Sequence, residues 1–520
     1  MYLHENSLLL AMLGSPSVNA LPQTKQQAPS YPIQWSSCNE TETGVSLRNY
    51  TLLQCGTMQV PMDWSDPLGQ KITLDIARLQ TNGTSRNGTL FVNPGGPGGA
   101  AHDYCYNQAL GEGRFSGILM EHFDLICPDP RGVGPSSMVQ CDINLWQSMP
   151  SEFIDDEASF QQVLEYNKKL GESCLNMTGP LLGFVDTTSV ARDLDAVRIG
   201  LGESKMNWLG FSYGTQLGAA YAELFPQNIR AMALDGIVNH AESAIDALVL
   251  DNWGDDREYE VTRLLAWCNA NSSCAFYNET DDAALAWDAM IANANKNPIP
   301  APGCLATSKS SYAGTCKPKI TGHEIFSGLE NYLGRPNLWP WYSQLIKEAI
   351  DGNATLLSSS ISSSSVSFDL ANLAVGCLDW QMNVSTFEQY TTLQSLVQAM
   401  APTSLGSSML FGFAARCVGW PFNVTNPQHW LNSTQMAKAP WILLVQSTND
   451  HSTPLPWAYG LAAQIPRAAL VTRVGDDHLS YKRNPEVRAI VDAYLVNLTV
   501  PEPNTVVDPG IDSGRWPLRS

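Results

Sequence analysis

The stretch Met206-Asn-Trp-Leu-Gly-Phe-Ser-Tyr-Gly-Thr215 reads as a buried strand, Met206 to Leu209, that runs through Gly210-Phe-Ser-Tyr-Gly214 into a helix of small residues, Thr215 to Phe225. A strand that turns this sharply into a helix strains the serine at its corner and leaves the hydroxyl exposed. Glycines are needed on both sides because side chains there would collide across the turn. The G-x-S-x-G pattern alone is weak; its place between a strand and a helix makes it informative.

Working outward, the same rhythm repeats. Ile72 to Leu79 alternates apolar with polar, Thr89-Leu-Phe-Val92 and Phe123-Asp-Leu-Ile-Cys127 are short apolar runs, and Val190, Leu194, Val197 and Leu201 recur at helical spacing. Ala231 to Leu234 is a further strand. Strands alternating with helices imply βαβ units and a mainly parallel sheet. From about 240 to 435 the chain turns helical in tone, rich in Trp, Asn and Ser, with a Ser-rich run from Ser358 to Ser367 expected to be a solvated loop. Strands return at Trp441 to Val445 and Ala469 to Thr472. The expected layout is a leader over 1–20, a sheet-forming core over 21–240 and 436–500, a mostly helical insertion over 241–435, and a tail over 501–520.

The chain has 520 residues, 30 Lys+Arg against 50 Asp+Glu, and a formal charge of -20. Such a surface repels phosphate backbones, so a nucleic-acid partner is not expected. After the N-terminus no apolar run is long enough to span a membrane. Leu8 to Leu13, then Gly14 and Pro16, then Val18-Asn-Ala20 read as a secretory signal cut after Ala20, although the segment before it carries Glu5 and no Lys or Arg. Twelve N-x-[ST] sequons, at Asn39, Asn49, Asn82, Asn87, Asn176, Asn271, Asn278, Asn353, Asn383, Asn423, Asn432 and Asn497, exceed the roughly five that chance pairing gives and point to glycosylation. Twelve cysteines, none with zinc-ligand spacing, point to disulfides. Cys268 with Cys274 and Cys304 with Cys316 suggest local staples. A secreted, extracellular, monomeric glycoprotein is the expectation.

A serine hydroxyl needs a base within reach and an acid to orient that base. Val445-Gln-Ser-Thr-Asn-Asp450 places an acid beyond one returning strand, and Val474-Gly-Asp-Asp-His478 a histidine beyond the next. Ser212, Asp450 and His478 therefore follow the nucleophile, acid, base order of the α/β-hydrolase fold. Asp476 and Asp477 are rival acids; His451 and His102 are rival histidines placed less well. Asn93-Pro-Gly-Gly-Pro-Gly-Gly99 is a loop whose backbone amides can approach a developing oxyanion, and Gly96 is expected to pair with Tyr213 in that role. This chemistry requires no metal or organic cofactor. Arg131 and Asp235 are expected to brace loops.

With these residues in view, the chain resembles secreted α/β-hydrolases of the tripeptidyl aminopeptidase and proline iminopeptidase group, serine peptidases with a TAP-like C-terminal domain. The resemblance rests on Asn93 to Gly99, Asp129-Pro-Arg-Gly-Val-Gly134, Asn207 to Thr215, Leu234-Asp-Gly-Ile-Val238, Ala374-Val-Gly-Cys-Leu-Asp-Trp380, Cys417-Val-Gly-Trp-Pro421 and Trp441 to Trp457. It implies an α/β-hydrolase fold with a large helical lid and Ser212, Asp450 and His478 as catalytic residues. It also implies release of short peptides or single residues from a free N-terminus, and a bond between Cys377 and Cys417. An aminopeptidase needs a carboxylate for the substrate ammonium, for which Asp379 and Glu223 are candidates. Trp339, Trp341, Trp380 and Trp420 either line that pocket or fill a core. An esterase or amidase for a small metabolite is the alternative, because the lid alone chooses the acyl donor. A catalytically dead scaffold would have lost a triad member.

Overall fold

The computed structural model describes residues 30–508 except 40–43, 49, 114, 254–255, 279–281, 307–316, 334 and 362–365. The expected leader over 1–20, the sequon at Asn49 and the partner Cys316 lie outside the described residues.

Among the described residues ten strands form one sheet. They are β1 (Gln34–Ser37), β2 (Leu53–Pro61), β3 (Lys71–Leu79), β4 (Gly88–Asn93), β5 (Phe123–Pro128), β6 (Met206–Phe211) and β7 (Ile229–Asp235), then, after the two-stranded ribbon β8 (Ile299–Pro300) with β9 (Lys319–Ile320), β10 (Ile442–Asn449), β11 (Ala468–Asp476) and β12 (Thr505–Val507). Their order is β1-β2-β3-β5-β4-β6-β7-β10-β11-β12. The first pairings, β1 with β2, β2 with β3 and β3 with β5, are antiparallel; from β5 onward every pairing is parallel. The central strands β4, β5 and β6 are buried along their whole length, as strands covered on both faces must be. One core layer holds Trp208, Leu217, Leu234 and Leu444; the other holds Leu90, Phe211, Val445 and Tyr494. Alternate residues of β6 thus feed opposite layers, the period of two that a strand imposes.

The sheet is interrupted after β7 and resumed at β10, and helices from Ala244–Trp253 to Ser433–Met436 fill the interval. This segment has a core of its own around Leu264, Trp287, Trp339 and Leu345. A second cluster, in which Trp380, Phe411 and Phe413 meet Phe160, Val238 and Trp457, ties it to the sheet-forming part. Trp339 and Trp380 are therefore core residues, while Trp341 is 43% exposed.

Three features go beyond the elements expected from the sequence. Glu157–Thr178 is a 22-residue helix, started by a capping box between Asp156 and Ser159. Thr505–Val507, in the stretch read as a tail, adds the last parallel strand against β11. The Ser-rich run is not a solvated loop at its start: helix Thr355–Ile361 covers it, and Ser358 is buried, donating to Lys317 O at 2.7 Å and accepting its amide at 2.9 Å. Two backbone partners satisfy that hydroxyl, so burial costs it little.

Five disulfides join described residues. They are Cys268–Cys274, Cys377–Cys417, Cys38–Cys55, Cys105–Cys127 and Cys141–Cys174. Arg131, fully buried, grips Asp193 with Nε and Nη2 at 2.7 Å each and donates to the carbonyls of Pro61, Met62 and Phe184. It fastens the loop after β5 to the helix Thr187–Gly200. Replacing it with methionine strands the Asp193 charge in the interior, so Arg131→Met is expected to lose about 3–5 kcal/mol. Urea unfolding with an unchanged slope and a lower midpoint would register the loss, and an unaltered midpoint would refute the role.

Candidate active site

The turn between β6 and its helix is built as the sequence implies. Ser212 has φ 55° and ψ -126°, a left-handed backbone in a non-glycine residue. The corner is held by Ser212 N–H donating to Asp235 O at 2.9 Å, while Thr215 N–H and Oγ1 both donate to Ser212 O at 2.7 Å. Trp208 Nε1 donates to Gly214 O at 3.2 Å. A Cβ on Gly210 would fall 2.3 Å from Gly214 O and 2.4 Å from Trp208 Nε1, which is why the position is glycine.

The glycine loop after β4 abuts this corner. A Cβ on Gly95 would sit 2.8 Å from Ser212 Cβ and 3.0 Å from Tyr213 N, so only glycine allows the approach. Gly95 N–H is committed to Asn93 Oδ1 at 2.9 Å. Among the described residues neither Gly96 N–H nor Tyr213 N–H has a hydrogen-bond acceptor, and Tyr213 opens a helix, where amides lack intrahelical partners. From the inserted segment, Asn372 Nδ2 donates to Pro97 O at 3.1 Å and Phe368 packs on Gly96 and Gly98.

Asp450 follows the end of β10 and His478 follows β11, on the same edge of the sheet as Ser212. His478 Nδ1 lies 2.8 Å from Asp450 Oδ1 and 3.0 Å from Oδ2. The buried carboxylate also accepts the amides of Ser452, Thr453 and Leu479. Burial alone would raise the Asp450 pKa, but the His478 charge and hydrogen bond, with these amides, hold it well below the usual carboxylate range. For His478 burial works downward, and the Asp450 charge overcomes it and leaves the imidazole pKa raised. Asp235-Gly236 links the two halves: its carbonyl holds Ser212 N–H, and a Cβ on Gly236 would fall 3.2 Å from His478 Cε1.

The loop carrying the histidine is clamped from both sides. Asp235, fully buried, accepts Ser480 N–H at 3.0 Å and Tyr481 N–H at 2.8 Å; burial pushes its carboxyl pKa up to about 6 against these bonds. Arg473 donates to the carbonyls of Asp476, Asp477 and Leu479 and to Ser480 Oγ. Asp235 was legible only as a brace in Leu-Asp-Gly, and Arg473 carried no sequence signal, since an arginine at the end of a strand is unremarkable without its partners.

The rival residues go elsewhere. Asp476 pairs with Arg263 at 2.7 Å, and Asp477 pairs with Arg483 and Arg335 while its Oδ1 accepts His478 N–H at 2.9 Å. His451 sits with its ring centroid 6.1 Å from that of His478, and His102 pairs with Asp129 at 2.6 Å behind the glycine loop. Asp379 is buried and accepts from Thr187 N–H, Thr187 Oγ1, Gln216 Nε2 and Asn426 Nδ2, with burial raising its pKa to about 7. Glu223 accepts from His429 Nε2 at 3.0 Å and from Asn432 N–H at 2.7 Å, and this contact raises the His429 pKa to about 9. Glu223 borders a cavity of about 210 Å³ whose wall includes Gln216, Leu224, His240 and His429 but not Ser212, Asp450 or His478. Among the described residues no group of three or more His, Cys, Asp or Glu side chains is placed to hold a metal ion.

Residues 88–303 match the α/β hydrolase fold family, and residues 401–507 match the TAP-like protein family. The chain is 28% identical over 497 residues to serine protease Hip1 of Mycobacterium tuberculosis, covering 90% of each chain. It is 27% identical over 477 residues to tripeptidyl aminopeptidase of Streptomyces lividans, covering 85% of this chain and 81% of that one. Carboxylesterase B of Mycobacterium tuberculosis is 28% identical over 499 residues, with 91% of each chain covered. With its parallel sheet, its serine corner and its two matched segments, the chain has the α/β-hydrolase fold, with a C-terminal part similar to TAP-like proteins.

Proposed function

We propose that this chain is a secreted serine peptidase that releases short peptides or single residues from a free N-terminus through an acyl-enzyme. The observation that carries the reading is the His478–Asp450 pair, 2.8 Å apart, on the sheet edge where Ser212 holds a left-handed backbone. In the proposed cycle Ser212 Oγ adds to the carbonyl as His478 Nε2 takes its proton, and Asp450 keeps the other ring nitrogen protonated and steadies the imidazolium. The oxyanion is received by the amides of Gly96 and Tyr213, each worth about 3–4 kcal/mol in comparable sites. His478 returns the proton to the leaving nitrogen as the C–N bond breaks, and water resolves the acyl-enzyme.

The names of Hip1 and tripeptidyl aminopeptidase support peptide substrates. Asp379 already accepts from four donors, so an amine would have to displace one of them, whereas Glu223 accepts from two and keeps room for another. Secretion is favoured by the disulfides and sequons, and among the described residues no helix is long and apolar enough to cross a membrane. The sequon asparagines Asn39, Asn82, Asn87, Asn176, Asn278, Asn353, Asn383, Asn423, Asn432 and Asn497 are exposed and Asn271 is half-buried, which suits glycan attachment. We infer a monomer. The likeness to carboxylesterase B favours a second reading, an esterase or amidase with the same serine.

Two measurements test this. Peptide anilides with a free amine should be cleaved and their N-acetylated counterparts spared, with Ser212→Ala lowering turnover by at least about 10⁴-fold; equal cleavage of blocked peptides, or turnover of p-nitrophenyl esters alone, selects the second reading. In the pH profile of kcat/KM, the base works only as neutral imidazole, so a raised His478 pKa places the acidic limb above 6.5. Activity is lost as pH falls through it. Asp450→Asn withdraws the charge that raises this pKa, so the limb should shift to lower pH while kcat drops about 10⁴-fold; an unmoved limb would exclude His478 as the group titrating there.

A further inference from the structure

The histidine loop has an unexpected electrical character. In a chain of formal charge -20, two arginines converge on one carboxylate oxygen: Arg483 Nη2 reaches Asp477 Oδ2 at 2.5 Å and Arg335 Nε approaches the same atom at 3.7 Å. Both guanidinium side chains are 42% exposed, while Asp477 is 13% exposed. One negative charge faces two positive ones. Of the neighbouring acids, Asp476 and Glu260 are engaged with Arg263, and Asp450 with His478. An arginine carries five N–H donors in a fixed fork, so two guanidinium groups that share one carboxylate oxygen keep donors turned to solvent.

Their place beside the histidine says what those donors meet. Asp477 Oδ1 accepts the backbone N–H of His478 at 2.9 Å, so the carboxylate that the arginines share is tied to the backbone of the residue that bears the imidazole. That imidazole delivers the proton to the leaving nitrogen, which puts its neighbours on the leaving side of the scissile bond. We propose that Arg335 and Arg483 form a carboxylate-binding subsite for the leaving fragment, so that the enzyme favours short substrates whose departing part carries a carboxylate near the cleaved bond. This rests on the assignment of Ser212 and His478 as nucleophile and base. Arg335 comes from the inserted segment and Arg483 from the loop after β11, so the subsite exists only when the two are packed together.

The test compares substrates with the same free N-terminal acyl part. In one pair the leaving residue ends in a free carboxylate or in its carboxamide; in a third substrate the C-terminus is amidated and the leaving residue has an aspartate side chain. A parallel pair of phenyl esters carries a carboxylate or a carboxamide on the leaving phenol. The carboxylate form is expected to be preferred in kcat/KM by about five- to tenfold at low ionic strength, the preference fading with added salt. In the Arg335→Gln, Arg483→Gln double variant the ratio should approach one, and Arg335→Lys should restore part of it. Because the readout is a ratio, any general loss of turnover cancels, and the salt dependence of the unaltered enzyme stands even if the double variant does not fold. Preference for the aspartate substrate alone would assign the subsite to a side chain rather than a chain terminus. A ratio of one in the unaltered enzyme, or a ratio unchanged in the folded double variant, overturns the proposal. If only the esters turn over, the peptidase reading fails, and the ester pair judges the subsite by the same ratio.

Discussion

A serine held at φ 55° carries backbone strain of order 1–3 kcal/mol, and the surroundings must hold that conformation in place. Here they do so from three directions. The Asp235 carbonyl takes Ser212 N–H, Thr215 takes its carbonyl twice, and Trp208, buried in the core layer beneath, ties down Gly214. Gly95, Gly210 and Gly214 remove the side chains that would keep the surrounding backbone at a distance. Once that corner is in place, the first amide of the following helix and the amide of Gly96 have no acceptor among the described residues, and the hydroxyl stands at the sheet edge.

The second constraint is electrostatic. Asp235 and Asp450 are both fully buried carboxylates at the ends of neighbouring strands, and each is satisfied by amides of the loops around it. Asp450 gains a cationic partner in His478 and stays ionised, whereas Asp235 accepts only backbone bonds from the histidine loop and its pKa rises to about 6. One carboxylate orients the imidazole and the other positions the loop that carries it. Arg473, reaching three carbonyls and a hydroxyl, closes the loop from the opposite side.

The inserted segment takes part in this arrangement as well as covering it. Phe368 and Asn372 press on the glycine loop, and Arg263 and Arg335 reach the two aspartates before His478. A displacement of these helices would therefore disturb both the glycine loop and the histidine loop.

Periodicity was enough to locate most of the sheet, because a strand covered on both faces must be continuously apolar and the helices between strands must show an apolar stripe. Ser212, Asp450, His478 and the glycine loop were legible for a related reason: a nucleophile corner needs glycines at fixed offsets, and its partners must follow strands in a set order. The Glu157–Thr178 helix carries a legible signal, a cap at Asp156 and a buried stripe of Phe160, Val163, Tyr166, Leu170 and Cys174, whereas the burial of Ser358 depends on its bonds to the Lys317 backbone, which composition does not reveal. Side-chain pairing across long separations left no trace in the chain. The arginines that meet at Asp477, the clamp of Asp235 on Ser480 and Tyr481, and the donors that surround Asp379 join residues up to 246 positions apart. Local sequence determined which residues could do chemistry; only packing decided which charges face one another, because that depends on distances between elements that the order of residues along the chain does not contain.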